Sequence, residues 1–419
     1  MTGLPNRWWM VGAATLGVAL SPGTLVFYSL GIFIGPVSAE FGWDRAQISL
    51  VATLMTLALV FAIPVVGALI DRHGVRRVLL PSLFILGAGL NSFHMVHALW
   101  QFYACFIFIG AAAAGANSLA YIRSLCTWFD KERGLVIGIA SSGMGIGLIL
   151  IPPFAQALIE VGNWRVAYAG LGFVVWLIGI PVVYLLVHDR PGSRRGAGER
   201  QSGSLTATDT AELPGFSAAE TLKSRRFWYI VLTFCMLAGA VNSVAVHFVP
   251  MLMDRGASIE FATTAASSFG AAIVMGRLAT GVLIDRCFAP YVAAVFFFGA
   301  AAASTLLAAG ASGTIGLLAS VLIGLCVGAE GDVLAYLLSR YFGLRAFGTV
   351  YGYAFSAYLI GSSILPYLMG LGFELTHAYT IPLFICAGLT LTSAALVMRL
   401  TAFPKWEYKQ MAGDHARTG

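Results

Sequence analysis

The hydrophobic pattern of the sequence is dominated by twelve long apolar runs, each bounded by charged residues, Pro or Gly. A helix needs about 20 mostly apolar residues to cross the hydrocarbon core of a bilayer, and every run is about that long. The pattern therefore predicts twelve spanning helices. Their approximate limits are residues 8–37, 46–70, 77–98, 101–126, 134–160, 164–188, 227–252, 260–285, 290–310, 314–340, 347–373 and 379–402.

One long polar segment interrupts the series after the sixth run. It is rich in Gly, Ser, Thr and Arg, a composition that cannot bury a core, so we interpret it as a linker, with a regulatory segment as the alternative. Near its end, Ser217 and Glu220 form a capping-box pattern, which predicts a short surface helix. The chain is thus divided into a first six-helix bundle over residues 1–188, a cytoplasmic linker over 189–226, a second six-helix bundle over 227–402 and a cytoplasmic tail over 403–419.

The two halves of the chain repeat each other. The string GALIDR, which begins at Gly67, matches GVLIDR, which begins at Gly281, and further matches fall at nearly the same offset. This indicates a duplicated six-helix unit. Such repeats are common in transporters, where the substrate site lies between the halves near the middle of the membrane.

Composition and charge agree with a membrane protein. The chain is 58% apolar and 11% charged, whereas soluble domains average about 45–50% and about 25%. With the N-terminus inside, the inner loops hold 19 Lys and Arg residues and the outer loops hold 3, which predicts cytoplasmic termini in a multi-pass protein of the inner (plasma) membrane. The net charge of +6 lies in these short loops, so we expect no nucleic-acid partner.

Motifs for other chemistry are missing from the sequence. It contains no Walker loop, no hydrolase nucleophile elbow and no Cys or His spacing typical of a metal site. The six cysteines lie in or beside apolar runs, without a CxxC pair, which argues against a disulfide framework. We therefore expect no cofactor, no metal and no enzymatic activity, with a membrane sensor or intramembrane enzyme as a remote alternative.

The string GALIDRHGVRR, together with its shorter copy in the second half, resembles the loop signature of the major facilitator superfamily. The strings FGWDRAQIS and WFDKERGLVIGIASSG resemble the monocarboxylate transporter and oxalate:formate antiporter branch. The resemblance implies an all-α membrane protein with twelve transmembrane helices in two pseudo-symmetric six-helix bundles. It also implies alternating access, in which the bundles rock about a central site.

The repeated loops are the candidate gate. Acidic and basic residues end the helices there, and the resemblance implies that they latch the two halves together in an outward-open state, with the basic residues free to pair with carboxylates. The alternative is a simple topology anchor. The candidate gating residues are Asp71, Arg72, Arg76, Asp285 and Arg286.

Ionisable residues inside the membrane are candidates for function, because a charge there costs several kcal/mol unless it is paired or hydrated. Arg277 lies past the middle of the eighth run, with no carboxylate one turn away on its own helix. The resemblance implies that this Arg binds the carboxylate of a substrate. The animal transporters of this branch have an aspartate one turn earlier, where this chain has Ile273. The alternative is a permanent ion pair with Glu330 or Asp332.

Glu330 and Asp332 lie in the tenth run at the depth of Arg277, and both are candidates for proton coupling. Two residues correspond to about 200° around a helix, so the side chains face in different directions. The repeat aligns Glu330 with Asn117, and we therefore expect Glu330 to face the central cavity. A structural or substrate-orienting role is the alternative for both acids.

Further polar residues are candidates for contact with the substrate. Each has interhelical packing or solvation as its alternative role. They are Asn117 and Tyr121 in the fourth run, Asn242 and His247 in the seventh, and Tyr28, which follows Pro22 and Gly23, a pair that can break the first helix.

These features predict a secondary transporter that moves a small organic anion, a monocarboxylate in the first instance. The movement would be coupled to a proton or to a counter-anion. The rival hypothesis is a proton-driven exporter of amphipathic compounds, which acidic residues in an apolar cavity would favour. Arg277 favours the anion.

Overall fold

The computed structural model describes residues 7–27, 29–188 and 213–404. Most of the predicted linker and tail lie outside these residues. The described part is almost entirely helical. The helices of the first half are α1 (Arg7–Ala19), α2 (Leu30–Phe41), α3 (Arg45–His73), α4 (Val75–Asn91), α5 (Leu99–Ala112), α6 (Ser118–Trp128), α7 (Arg133–Val161), α8 (Trp164–Val174) and α9 (Ile180–Leu186).

The second half consists of longer, uninterrupted helices. A short helix, α10, precedes them, and six membrane-length helices follow in the order that the apolar runs predict. They are α10 (Ala218–Lys223), α11 (Arg225–Asp254), α12 (Ile259–Arg286), α13 (Ala289–Ala308), α14 (Gly313–Phe342), α15 (Phe347–Thr376) and α16 (Thr380–Met398).

Eleven helices or helical stretches in the described part of the chain are long and apolar enough to cross a membrane. The remaining predicted span, the fourth, over residues 101–126, is instead divided into α5 and α6 by a 3₁₀ turn at Ala114–Ala116. Asn117 causes the division, because its side-chain oxygen accepts a hydrogen bond from the Ser118 N–H at 2.7 Å and so caps the start of α6. The prediction of a continuous fourth helix is therefore corrected.

The first and sixth spans also contain irregular turns. A π-helical turn at Gly23–Phe27 separates α1 from α2, next to the break that Pro22 and Gly23 predict. A second π-helical turn, Val175–Gly179, joins α8 to α9. Both irregularities fall in the first half.

Large apolar side chains cover the outside of the bundle. Phe61, Leu177, Val295 and Leu375 are each at least 70% exposed. Water would oppose such a surface, whereas lipid chains accept it. The exposure therefore agrees with a molecule surrounded by a bilayer.

The two halves meet through two equivalent helix pairs, α3 with α15 and α7 with α12. Glycines allow the close approach: a Cβ added to Gly67 would lie 2.1 Å from the carbonyl oxygen of Gly348. In the second pair, a Cβ added to Gly281 would lie 2.8 Å from the carbonyl oxygen of Gly134. We call the end of the bundle that carries the repeated loops at Asp71 and Asp285 the motif face.

The end of the linker folds against the second half at the motif face. Ser217 caps α10, and its N–H and hydroxyl donate to Glu220 at 2.7 and 2.8 Å. These bonds to Ser217 lower the pKa of the Glu220 carboxyl. Just before α10, Gly215 forms an antiparallel bridge with Gly343 in the loop between α14 and α15.

Candidate functional site

Two aspartates, one from each half, bind helix N-termini of the opposite half at the motif face. Asp71, near the end of α3, accepts hydrogen bonds from two N–H groups in the first turn of α15, at 3.0 and 2.7 Å. Asp285, near the end of α12, accepts from two N–H groups in the first turn of α7, each at 2.8 Å. A helix N-terminus stabilises a carboxylate through its unpaired N–H groups and its dipole. We call these two contacts the latch.

The cation beside Asp71 is Arg123 of α6. Its Nε atom lies 2.9 Å from Asp71 Oδ1, and both side chains are buried. The sequence leaves the arginines of the loop free to pair with carboxylates, whereas the cation at Asp71 comes from α6. The Arg76 guanidinium lies over a tyrosine ring of α9, while Arg72 and Arg286 are exposed. Long basic side chains at a helix end reach water readily, and their gating role stays a prediction.

Arg123 had a signal in the sequence, since an arginine within a predicted span is rare. No signal in the sequence predicted a further contact between the halves. Asp130, in the loop before α7, accepts a hydrogen bond from Arg340 of α14 at 3.0 Å. Beside it, Arg133 donates to the Ser339 hydroxyl at 3.2 Å. These bonds also lie at the motif face.

The second group of charges lies deeper in the membrane. Arg277 precedes Asp285 by eight residues on α12, which places it about 12 Å from the latch. One of its terminal nitrogens lies 3.6 Å from Asp332 Oδ1, longer than a hydrogen bond to a carboxylate. Another donates to the thioether sulfur of Met144 on α7 at 3.7 Å, and sulfur is a weak acceptor. Its side chain is 14% exposed.

Glu330 and Asp332 point to different neighbours, as their spacing predicts. Glu330 accepts from the Tyr358 hydroxyl at 2.5 Å and from the Asn242 amide at 3.4 Å, both within the second half. Asp332 lies beside Arg277 and near the Ser141 hydroxyl of α7, in the first half. Asp332, rather than the expected Glu330, therefore approaches the opposite half. We call Arg277, Glu330 and Asp332 the inner cluster.

Both acids of the inner cluster are almost completely buried, with 0% exposure for Glu330 and 2% for Asp332. Among the described residues, one carboxyl oxygen of each acid lacks a hydrogen-bond partner, Oε2 of Glu330 and Oδ2 of Asp332. Buried polar atoms without partners are uncommon in proteins. The cluster thus has capacity for a proton or for further hydrogen bonds.

The other predicted site residues are dispersed. Asn117 caps α6 rather than forming a helical face with Tyr121, and Tyr121 is fully buried against Gly17 of α1. His247 Nε2 lies 3.0 Å from the carbonyl oxygen of Pro366. Tyr28 lies outside the described residues. Of the predicted substrate contacts that the structure describes, only Asn242 joins Arg277 at the inner cluster, and the roles of the others stay predictions.

Comparison with known families gives a match over most of the chain. Residues 16–366 match the family described as the Major Facilitator Superfamily. Among solved structures, the fucose:proton symporter FucP of E. coli superposes with a TM-score of 0.70 at 15% identity, covering 94% of this chain and 97% of that one. At this identity the superposition concerns the fold alone.

Similar curated proteins include transporters of organic acids. Monocarboxylate transporter 11 of Mus musculus is 24% identical over 94% of this chain and 87% of its own length. A probable L-galactonate transporter of Escherichia coli is 24% identical over 90% of this chain and 85% of its own length. Both likenesses span the two halves and the region between them.

Proposed function

Because the chain belongs to the Major Facilitator Superfamily, we propose that it is a secondary active transporter that moves a small organic anion of the monocarboxylate class. It works by alternating access in the inner (plasma) membrane. The names of two relatives, a monocarboxylate transporter and a probable L-galactonate transporter, support a carboxylate cargo. The observation that carries the proposal is the incomplete hydrogen bonding of the Arg277 guanidinium.

Arg277 has more hydrogen-bonding capacity than its neighbours use. A guanidinium presents five N–H donors in a planar fork that fits a carboxylate. In the described structure its partners are a sulfur atom and an aspartate at 3.6 Å. A substrate carboxylate could form two short charged hydrogen bonds with this fork without displacing a strong one.

The acids of the inner cluster provide the coupling. Before the substrate binds, Asp332 balances the positive charge of Arg277. Glu330 lies on a different face of α14. When the substrate anion binds to Arg277, one acid takes up a proton, so that the number of charges buried in the membrane does not rise. Exchange for a second anion is the alternative that needs no proton.

The latch sets the state of the transporter. Asp71 and Asp285 hold the halves together at the motif face. If that face is cytoplasmic, as the distribution of Lys and Arg predicts, the latched molecule is the outward-open state. Rocking to the inward-open state must break both carboxylate contacts together.

The orientation can be tested by cysteine labelling. Ser202 belongs to the linker and Ser258 to the loop before α12, on opposite faces of the predicted topology. A cysteine at Ser202 should react with an impermeant reagent only from the cytoplasm, and one at Ser258 only from outside. The reverse pattern contradicts the orientation.

The substrate class can be tested in proteoliposomes with a panel of labelled monocarboxylates, with and without a pH gradient. We expect saturable uptake of at least one acid, lost in Arg277→Gln. Lys131→Gln, which removes an exposed charge at the motif face, should retain it. Efflux of an ethidium-like cation without anion uptake would instead establish the exporter.

A further inference from the structure

A recess lined by three arginines lies at the surface of the second half, at the motif face. Its volume is about 270 Å³. It is formed where the start of α11 meets the end of α16, away from the inner cluster. The residues that line it are Arg225, Arg226, Tyr229, Arg399, Leu400 and Thr401.

The charged residues that line the recess in the described part of the chain are all arginines. Among the described residues, no acidic side chain lines it and none forms a salt bridge with its arginines. Arg226 donates to the Thr401 hydroxyl at 3.1 Å and lies over the Tyr341 ring, both neutral partners. Arg225 and Arg226 begin α11, where the helix dipole adds positive potential. An anion in the recess would therefore be attracted by three side chains and by a helix end.

The position of the recess indicates which anion it takes. On the membrane side of its arginines, both helices expose large apolar side chains, with Trp228 54%, Leu232 52% and Met398 41% exposed. Tryptophan is typical of the boundary between lipid chains and headgroups. A ligand that combines a phosphate with acyl chains would satisfy both parts of this surface.

From this placement we infer that the recess binds the phosphate headgroup of an anionic phospholipid. Basic pockets between helices on the cytoplasmic side of a membrane favour such headgroups. In addition to orienting the chain, the arginines then hold one lipid between α16 and α11, the helix that also carries Asn242. This inference does not depend on the transported substrate.

Native mass spectrometry of the full chain in detergent tests the inference. The probes are phosphatidylglycerol and, as the zwitterionic reference, phosphatidylcholine. The protein should retain one phosphatidylglycerol in preference to phosphatidylcholine. The double variant Arg226→Gln, Arg399→Gln should weaken that retention more than about tenfold, since each basic residue near an anionic lipid contributes about fivefold.

The matched control removes two charges from the same face of the other half. Arg77 and Lys131 are exposed there, and the double variant Arg77→Gln, Lys131→Gln should keep the preference for phosphatidylglycerol. Monodispersity and the thermal midpoint establish that both variants fold. Unchanged retention in the recess variant, or an equal loss in both, overturns the inference.

A third arm separates a lipid from a free phosphate. Inorganic phosphate at the same concentration should not displace the bound phosphatidylglycerol, because it lacks the acyl chains that contact the apolar surface. Displacement of the bound phosphatidylglycerol by inorganic phosphate at that concentration would show that the recess binds a soluble anion, and the lipid assignment would fail.

Discussion

Asp285 of the latch and Arg277 of the inner cluster lie about 12 Å apart along α12, yet the charges of the two regions differ in how completely they are hydrogen-bonded. At the latch, each carboxyl oxygen of Asp71 and Asp285 accepts at least one hydrogen bond from a backbone N–H. In the inner cluster, the ion pair measures 3.6 Å and two carboxyl oxygens lack partners among the described residues. Fully bonded charges hold a structure together, whereas incompletely bonded ones remain available to a ligand.

Physical cost explains why this difference is informative. A buried polar group without a partner costs about 1–3 kcal/mol, and more if it is charged. A fold that bears this cost at two neighbouring acids gains nothing in stability from it. The inner cluster is therefore the part of the molecule where we expect substitutions to change transport rather than folding.

The sharpest test replaces one arginine from each region, Arg277 beside Asp332 and Arg123 beside Asp71. Arg277→Gln should weaken binding of a radiolabelled anionic substrate more than about 100-fold, because loss of one partner from a buried charge pair costs about 2–5 kcal/mol. Arg277→Lys should restore little, since an ammonium lacks the planar fork. Binding to purified protein, measured together with the thermal midpoint, provides the readout.

Arg123→Gln is the control from the latch. It should lower the thermal midpoint, because it leaves buried Asp71 without its cation, while affinity for the substrate changes only a few-fold. Normal binding by Arg277→Gln combined with a strongly lowered midpoint would make Arg277 a structural residue and remove the distinction between the two regions.

The second test neutralises the acids of the inner cluster. Glu330→Gln and Asp332→Asn mimic protonated carboxyls, so each should preserve substrate binding and exchange, and at least one should lose accumulation driven by a pH gradient. A ligand shifts an equilibrium only by its differential affinity for the two states. A side chain that no longer titrates has no differential affinity for the proton, so a pH gradient cannot drive transport through it. Uptake and exchange in proteoliposomes separate the two activities. Normal accumulation by both variants would exclude proton coupling at α14.

Much of the fold follows from the sequence, because span length and apolar content are local properties. The interruption before α6 was missed for the opposite reason. It depends on one amide side chain, that of Asn117, and on a turn composed of Ala and Gly, which no hydropathy average detects. The twelve runs thus predict where the chain crosses the membrane better than how regular each crossing is.

The site was predictable in residue type but not in direction. The spacing of Glu330 and Asp332 predicts two faces, but which face meets α7 depends on how α14 is rotated in its bundle. The alignment of Glu330 with Asn117 favours Glu330, whereas Asp332 is the acid that approaches α7. The two helices are not equivalent at this place, because Asn117 lies at a break before α6 and α14 is continuous. The partner of Asp71 was missed similarly, since Arg123 is distant in sequence.

The third test concerns the latch and should have an effect of about tenfold. Asp71→Asn and Asp285→Asn keep an acceptor but lose the charge, and charged hydrogen bonds are worth about 1.5–3 kcal/mol against about 1 for neutral ones. Either variant should increase the population that is open at the motif face. Because the two contacts are equivalent by the repeat, we expect shifts of similar size.

Spin labels across the motif face can measure this shift. Cys287 of the second half is exposed, and Lys131→Cys provides the site in the first half. Cys105 and Cys235, both partly exposed, are replaced by alanine. The parent protein should give one short distance, and the latch variants an additional longer one. An unchanged distribution would mean that the aspartates anchor the loops without holding the halves together.

The smallest effect is expected at His247, which belongs to neither region. Its Nε2 must carry the proton of the contact with Pro366, because a carbonyl oxygen only accepts, and the bond lies within the second half. His247→Ala should therefore remove a hydrogen bond worth about 0.5–1.5 kcal/mol and leave pH-driven accumulation within about threefold of the parent. Loss of accumulation in His247→Ala, with normal accumulation in Glu330→Gln and Asp332→Asn, would move the proton site from α14 to α11. The unpaired oxygens of the inner cluster would then require a purpose other than coupling.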